Sequence, residues 1–136
     1  MATISVENAV VKGHHVYLSE VRIGDIFDCF PEVNNLHDPH AMIGMNAGNV
    51  VGHLPEGFAE HIHSLFAELK ENITVLCEVT GNPEPSRRPW PFMWHRGGGI
   101  VIPCRYLVFC HRRDLHSVRL RLQLSLQYIP GGSLFN

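Results

Sequence analysis

The stretch HDPHAMIGMNAGNVVGHLP, residues 37–55, decides how this chain reads. Two short apolar runs, 41–45 and 49–54, flank Asn46-Ala47-Gly48, and an Asn/Gly turn between apolar runs signals a β-hairpin. Pro55 stands where a helix begins, at a position that tolerates its missing N–H. Behind it Phe58, Ile62, Leu65, Phe66 and Leu69 recur at helical spacing. That predicts a helix over about residues 55–70 with the stripe turned to the core. Polar groups crowd both ends of the stretch, His37 and Asp38 at one and His53 at the other. They either finish the turns or face a ligand.

Upstream, residues 4–11 are rich in β-branched side chains and read as a strand, residues 16–18 as a second. Arg22-Ile23-Gly24-Asp25 reads as a turn, 26–30 as an alternating strand and 32–39 as a polar loop. Downstream, Asn72 ends the helix, and Ile73, Val75, Cys77 and Val79 alternate along a strand over 73–80. Residues 81–99, GNPEPSRRPWPFMWHRGGG, hold four prolines and four glycines, which argues against a regular element. The strand expected over 100–109 contains Pro103, so it is read as an edge strand or a bulged one. From Val118 to Tyr128 every second residue is apolar, the pattern of an amphipathic strand over 117–128. Such a strand adds to the sheet, pairs with another chain or lies exposed. Residues 130–136 read as a loose end.

At 136 residues the chain can bury one core, and its 45% hydrophobic content suits a globular domain. No apolar run is long enough to span a membrane. The first residues, MATISVENAVVKGHH, lack the basic and apolar regions of a secretory signal, so an intracellular protein, nuclear or cytoplasmic, is expected. Cys29, Cys77, Cys104 and Cys110 form no C-x-x-C pair and are expected as buried free thiols. The net charge of −2 hides a split. Through Glu84 there are 3 Lys/Arg against 12 Asp/Glu; from Ser86 onward, 8 Arg against Asp114 alone. The split implies either a basic face for an anionic partner or pairing between the halves.

Asp38 precedes Pro39, a setting for an Asx turn as well as for ligand contact. His53 reads as a structural histidine bonded to a loop carbonyl or as a phosphate contact. Residues 87–96, RRPWPFMWHR, bring Arg87, Arg88 and Arg96 together with Trp90, Phe92 and Trp94. Bases stack on aromatics for ~1–3 kcal/mol each, and arginine holds phosphate, so the segment reads as a nucleic-acid contact or as a lid over the barrel. His14-His15, His37 with His40 and His61 with His63 raise a zinc site, for which no third ligand is evident. No G-x-x-x-x-G-K-[ST] loop or G-x-S-x-G elbow is present, so no enzyme is expected and no cofactor.

The order of these motifs carries a resemblance. N-x-H-D-P-x-A, a hairpin, V-V-G-H-L-P opening a helix, a strand, a variable loop and G-I-x-I-P together resemble the HIRAN domain family, with Asn35, Asp38, Ala41, Gly52, His53 and Leu54 carrying most of the match over roughly residues 4–109. The resemblance implies a small β-barrel related to the oligonucleotide-binding fold, with a helix packed on it. It also implies capture of free 3′ ends of single-stranded DNA, in a family often fused to Swi/Snf-type ATPases or nucleases and tied to DNA repair and replication. The family's aromatic–aspartate pair falls on His37 and Asp38, whose carboxylate would accept the 3′-hydroxyl proton. Its phosphate-side histidine falls on His53, and its first-strand Arg–aromatic pair on His15 and Tyr17. The chain departs from the pattern at Glu56, where the family has a phosphate-binding lysine, and at Ile100, where it has an aromatic.

The expected architecture is therefore mainly β: a small barrel with one helix, a HIRAN-like domain over 1–112 and an extension over 113–136. The expected function is non-catalytic binding of single-stranded DNA or another nucleic acid. The alternative is a protein-interaction module on the same barrel, with a protein partner or self-association through 117–128.

Overall fold

The computed structural model describes residues 1–13, 20–86 and 99–136. The expectations for residues 16–18 and for most of the 81–99 stretch lie outside the described residues. Six antiparallel strands close a barrel in the order β7-β5-β2-β3-β4-β1, with β1 returning to β7. They are β1 (Ala2–Lys12), β2 (Ile26–Pro31), β3 (Met42–Asn46), β4 (Asn49–His53), β5 (Ile73–Val79) and β7 (Ile100–Cys110). A two-residue β6 (Glu84–Pro85) pairs with Val101 and Ile100 of β7, inside the stretch expected to hold no regular element.

The hairpin turns as its residues predict. Asn46 pairs with Asn49, and Ala47 and Gly48 both take positive φ, 50° and 84°, the geometry that matches the twist of two antiparallel strands. The turn at Arg22–Asp25 closes by a 3.0 Å bond from the Asp25 N–H to the Arg22 carbonyl. In β1 the inward residues are Ile4, Val6, Ala9 and Val11. The register shifts between Val6 and Ala9, with Asn8 at φ 58°. The extra residue flips the phase, so an asparagine that plain alternation would bury stays off the core.

Pro103 does not put its strand at an edge. β7 pairs with β1 on one side and with β5 and β6 on the other. β5 ends at Val79, opposite Cys104, and the Thr80 N–H bonds the Pro103 carbonyl at 2.9 Å. In an antiparallel strand a residue's N–H and C=O point the same way, so the donor that proline lacks would aim past the end of β5. The bulge lies in β1 instead.

Helix α1 (Glu56–Leu69) buries Phe58, Ala59, Ile62 and Leu65 in the core, with Phe66 and Leu69 at its margin, as the stripe predicts. Phe58 meets Tyr106 at 5.0 Å between ring centroids, and the Tyr106 hydroxyl donates to the Val10 carbonyl at 2.7 Å. All four cysteines are buried and unbridged, and burial pushes the thiols of Cys29 and Cys77 up, away from reactivity.

The strand expected over 117–128 is a helix, α2 (Leu115–Ser125). Positions 118, 122 and 126 of a period-2 series are also one helical face. Val118 and Leu122 are fully buried, whereas Leu120 and Leu124 are 54% and 59% exposed. Four of the five residues between are Arg or Gln, strong helix formers, with little β-branching after Val118. Alternation alone thus misled, and composition decides for helix. Ile129 joins the same core, and Tyr128 lies against Gly57 and His61 of α1. The loose end is corrected too: β8 (Ser133–Phe135) pairs with residues 5–7 of β1. No helix among the described residues is long and apolar enough to cross a membrane.

Candidate functional site

The loop between β2 and β3 is closed at its base by a 2.9 Å bond from the Glu32 N–H to the Ala41 carbonyl. Asn35 folds it from within. Its Oδ1 accepts the N–H groups of His37 and Asp38, each at 2.9 Å, and its Nδ2 donates to Glu32 at 2.8 Å. Asp38 Oδ1 accepts the His40 N–H at 2.9 Å, the Asx turn anticipated for a residue before proline. The motif N-x-H-D-P-x-A is therefore a loop clamp. It holds Asp38 half-buried and leaves His37 exposed.

His53 meets a carboxylate, where a loop carbonyl or a phosphate was anticipated: its Nε2 lies 2.9 Å from Glu32 Oε1. Partial burial pushes the Glu32 carboxyl up, but the hydrogen bonds from His53 and Asn35 and the nearby imidazole outweigh it and hold it below the ordinary range. Glu32 thereby couples the loop carrying His37 and Asp38 to the strand carrying His53. Sequence reasoning missed it. Its place at the mouth of the polar loop, three residues before Asn35, was the available signal.

Strand pairing gathers further elements here. His53 pairs with Ile43 on one side and Lys12 on the other, and Lys12 pairs with Val101. Neighbouring strands lie about 4.8 Å apart, so His53, Lys12 and Val101 fall within about 10 Å of one another. Segment 14–19 leaves just after Lys12 and Gly13. Segment 87–98 is rooted where the Ser86 N–H meets the Gly99 carbonyl at 3.2 Å, beside Ile100. The roots of both segments thus lie at the same end of the barrel as His53. His15, Tyr17, Arg87, Arg88, Trp90, Phe92, Trp94 and Arg96 themselves lie outside the described residues. Gly52 permits the closure: a Cβ there would run into the Lys12 carbonyl oxygen and the Val11 side chain.

No family model matches this sequence, and no curated protein does either. Among solved structures, the chain is similar to the crystal structure of the HIRAN domain of human HLTF, with a TM-score of 0.68 and 16% identity over 90% of this chain and 92% of that one. The NMR structure of the HLTF HIRAN domain gives 0.61 and 18% over 94% and 89%. The chain has the HIRAN fold. At such identities the likeness is one of backbone.

In this HIRAN-like domain the site is rich in acid. Glu56 is exposed at the first turn of α1, three residues past His53, and joins Glu32 and Asp38. Ile100 is half-buried. Of the histidine pairs, His14 and His15 lie outside the described residues, and His61 and His63 face different partners. His40 meets His63 edge-on at 5.3 Å between centroids, while His61 faces Tyr128 at 5.9 Å, with burial and then Arg121 pushing its imidazole down. Among the described residues no group of three or more His, Cys, Asp or Glu is arranged to hold a metal ion.

Proposed function

We propose that this domain binds single-stranded nucleic acid, captures free 3′-hydroxyl ends of DNA, and has no catalysis of its own. The observation that carries the reading is the clamp of the loop. Asp38 is fixed by backbone bonds, and among the described residues only one of its carboxylate oxygens is engaged. The other is available to accept a hydroxyl proton beside the exposed ring of His37. A carboxylate accepts from O–H and repels phosphate, so an acidic pocket selects a hydroxyl end over a phosphorylated one. Affinity would come from the arginines and aromatics of 87–96 and from His15 and Tyr17, whose segments are rooted at the same end. Stacking there supplies ~1–3 kcal/mol per base.

One observation favours a second reading, a protein-interaction module: His53, the residue implied to lie near phosphate, already faces Glu32. Fluorescence anisotropy separates the two. Single strands ending in 3′-hydroxyl or 3′-phosphate, and a blunt duplex, are titrated across a salt series. The proposal expects tightest binding to the hydroxyl end, weakening as salt rises, and loss of the end preference in Asp38→Ala. A preference unchanged in Asp38→Ala sinks the assignment of Asp38. No binding to any strand at low salt sinks the nucleic-acid reading and leaves the interaction module.

A further inference from the structure

Two surfaces are left over by the fold and by the site. The first is the outer side of the sheet β2-β5-β7. Phe27 and Cys29 point inward, so Ile26, Asp28 and Phe30 point out. Asp28 lies opposite Met45 on β3 and Leu76 on β5, and Leu76 lies opposite Leu107 on β7. The register thus lays apolar side chains across several strands around the Asp28 carboxylate, while Glu78, opposite Ile26 on the same face, is taken up by Arg105 at 3.1 Å. Ile26 is 53% exposed and Phe30 38%. Among the described residues Asp28 makes no ion pair.

The second is the outer face of α2. Its inner face is spent on the core through Val118 and Leu122. Leu120 and Leu124, one turn apart, face outward. His116 stands one turn before Leu120, and Arg119 and Arg121 flank the pair at half-buried positions. Arg113 precedes the helix and lies 3.8 Å from Asp114, while Arg119 and Arg121 make no ion pair among the described residues.

Each surface supplies what the other lacks. One is an apolar patch around an unmatched carboxylate; the other is an apolar pair bracketed by unmatched cations. The halves of the chain carry the same opposition, acidic before residue 85 and basic after it. We infer that the outer face of α2 in one copy docks on the β2-β5-β7 face of a second copy. Leu120 and Leu124 sit on Ile26, Phe30, Leu76 and Leu107, and an arginine reaches Asp28. Burial of the leucines and phenylalanine supplies the driving force, and the charge pair sets the orientation. Because the two surfaces are different patches, the contact is head-to-tail. It leaves a free α2 face at one end and a free sheet face at the other, so copies add beyond the dimer, into a ring where the rotation closes and an open chain where it does not.

Sedimentation velocity on nuclease-treated protein, from micromolar to sub-millimolar concentration, tests this. The wild type is expected to grow with concentration past the dimer. Leu120→Glu/Leu124→Glu removes the helix face and Phe30→Glu the sheet face, and each is expected to sediment as a monomer. Mixed in equal amounts they are expected to form a 1:1 dimer and nothing larger, since each still carries one intact face. Circular dichroism melts establish that each variant is folded. Should Phe30→Glu not fold, Asp28→Lys, a reversal at an exposed position, takes its place. A wild type that stays monomeric throughout overturns the inference. So does a single variant that still self-associates, or a mixture of folded variants that stays monomeric.

Discussion

Truncating Leu122 to alanine is the sharpest probe of the C-terminal segment. Leu122 is fully buried against the barrel, while Leu120, two residues earlier, is 54% exposed. A Leu→Ala change in a packed core costs about 2–5 kcal/mol, the transfer of the lost methyl groups plus the cavity they leave. Taking about 3 kcal/mol and a urea m-value of about 2 kcal/mol/M, the unfolding midpoint falls by about 1.5 M. The corresponding melting temperature drops by roughly 10 °C. Leu120→Ala and Leu124→Ala remove exposed side chains and are expected to stay within about 0.5 kcal/mol. The assay is urea unfolding followed by far-ultraviolet circular dichroism, with the protein dilute so that self-association contributes nothing. A strand with alternate residues on one face would make residues 118, 120, 122 and 124 equivalent. If Leu120→Ala shifted the midpoint as far as Leu122→Ala, the helical packing described above would be refuted.

Gly52→Ala drives a Cβ into the Lys12 carbonyl and is expected to cost about 1–3 kcal/mol, read as a lowered thermal midpoint; an unchanged midpoint would mean that β1 and β4 do not close there. Tyr106→Phe strips the donor from the Val10 carbonyl inside the barrel and is expected to cost about 1–2 kcal/mol by urea denaturation, with near-wild-type stability arguing against that bond. The Glu32 carboxyl is held low by His53 and Asn35 against partial burial, so its contribution is full above the unfolded value and disappears as pH falls through the folded one. Glu32→Gln should therefore lower stability at neutral pH and flatten the acid limb of midpoint against pH, and acid limbs of equal steepness in the two proteins would contradict the pairing.

How far the sequence could be read varied with the range of the forces involved. The hairpin, the turn at Arg22–Asp25 and the apolar stripe of α1 follow from neighbours a few residues apart, and all three stand where local chemistry puts them. The Asx turn at Asp38 is local as well. The partner of His53 was not legible, because Glu32 lies 21 residues away and meets it only through strand pairing. Lys12 joined the site for the same reason, through a register that no single strand specifies. Pro103 reads as the sign of an edge or of a bulge, since sequence alone does not reveal that β5 stops one residue short of it. The tail failed on period, because a series of alternate leucines satisfies two geometries until burial chooses between them.

The closing seam of the barrel has a dynamic consequence. Elsewhere its strands zip over several residues, but among the described residues β1 and β4 meet at the single pairing of Lys12 with His53. Opening there parts β1 from β4 at the residue that also holds Glu32, so the seam and the β2–β3 loop let go together. His53 is at once a stitch of that seam and the anchor of Glu32. A strand end held between Asp38 and His53 would therefore fasten loop and seam at one point. Amide protons along β4 and the end of β1 would exchange more slowly once it is bound, at a distance from any group it touches.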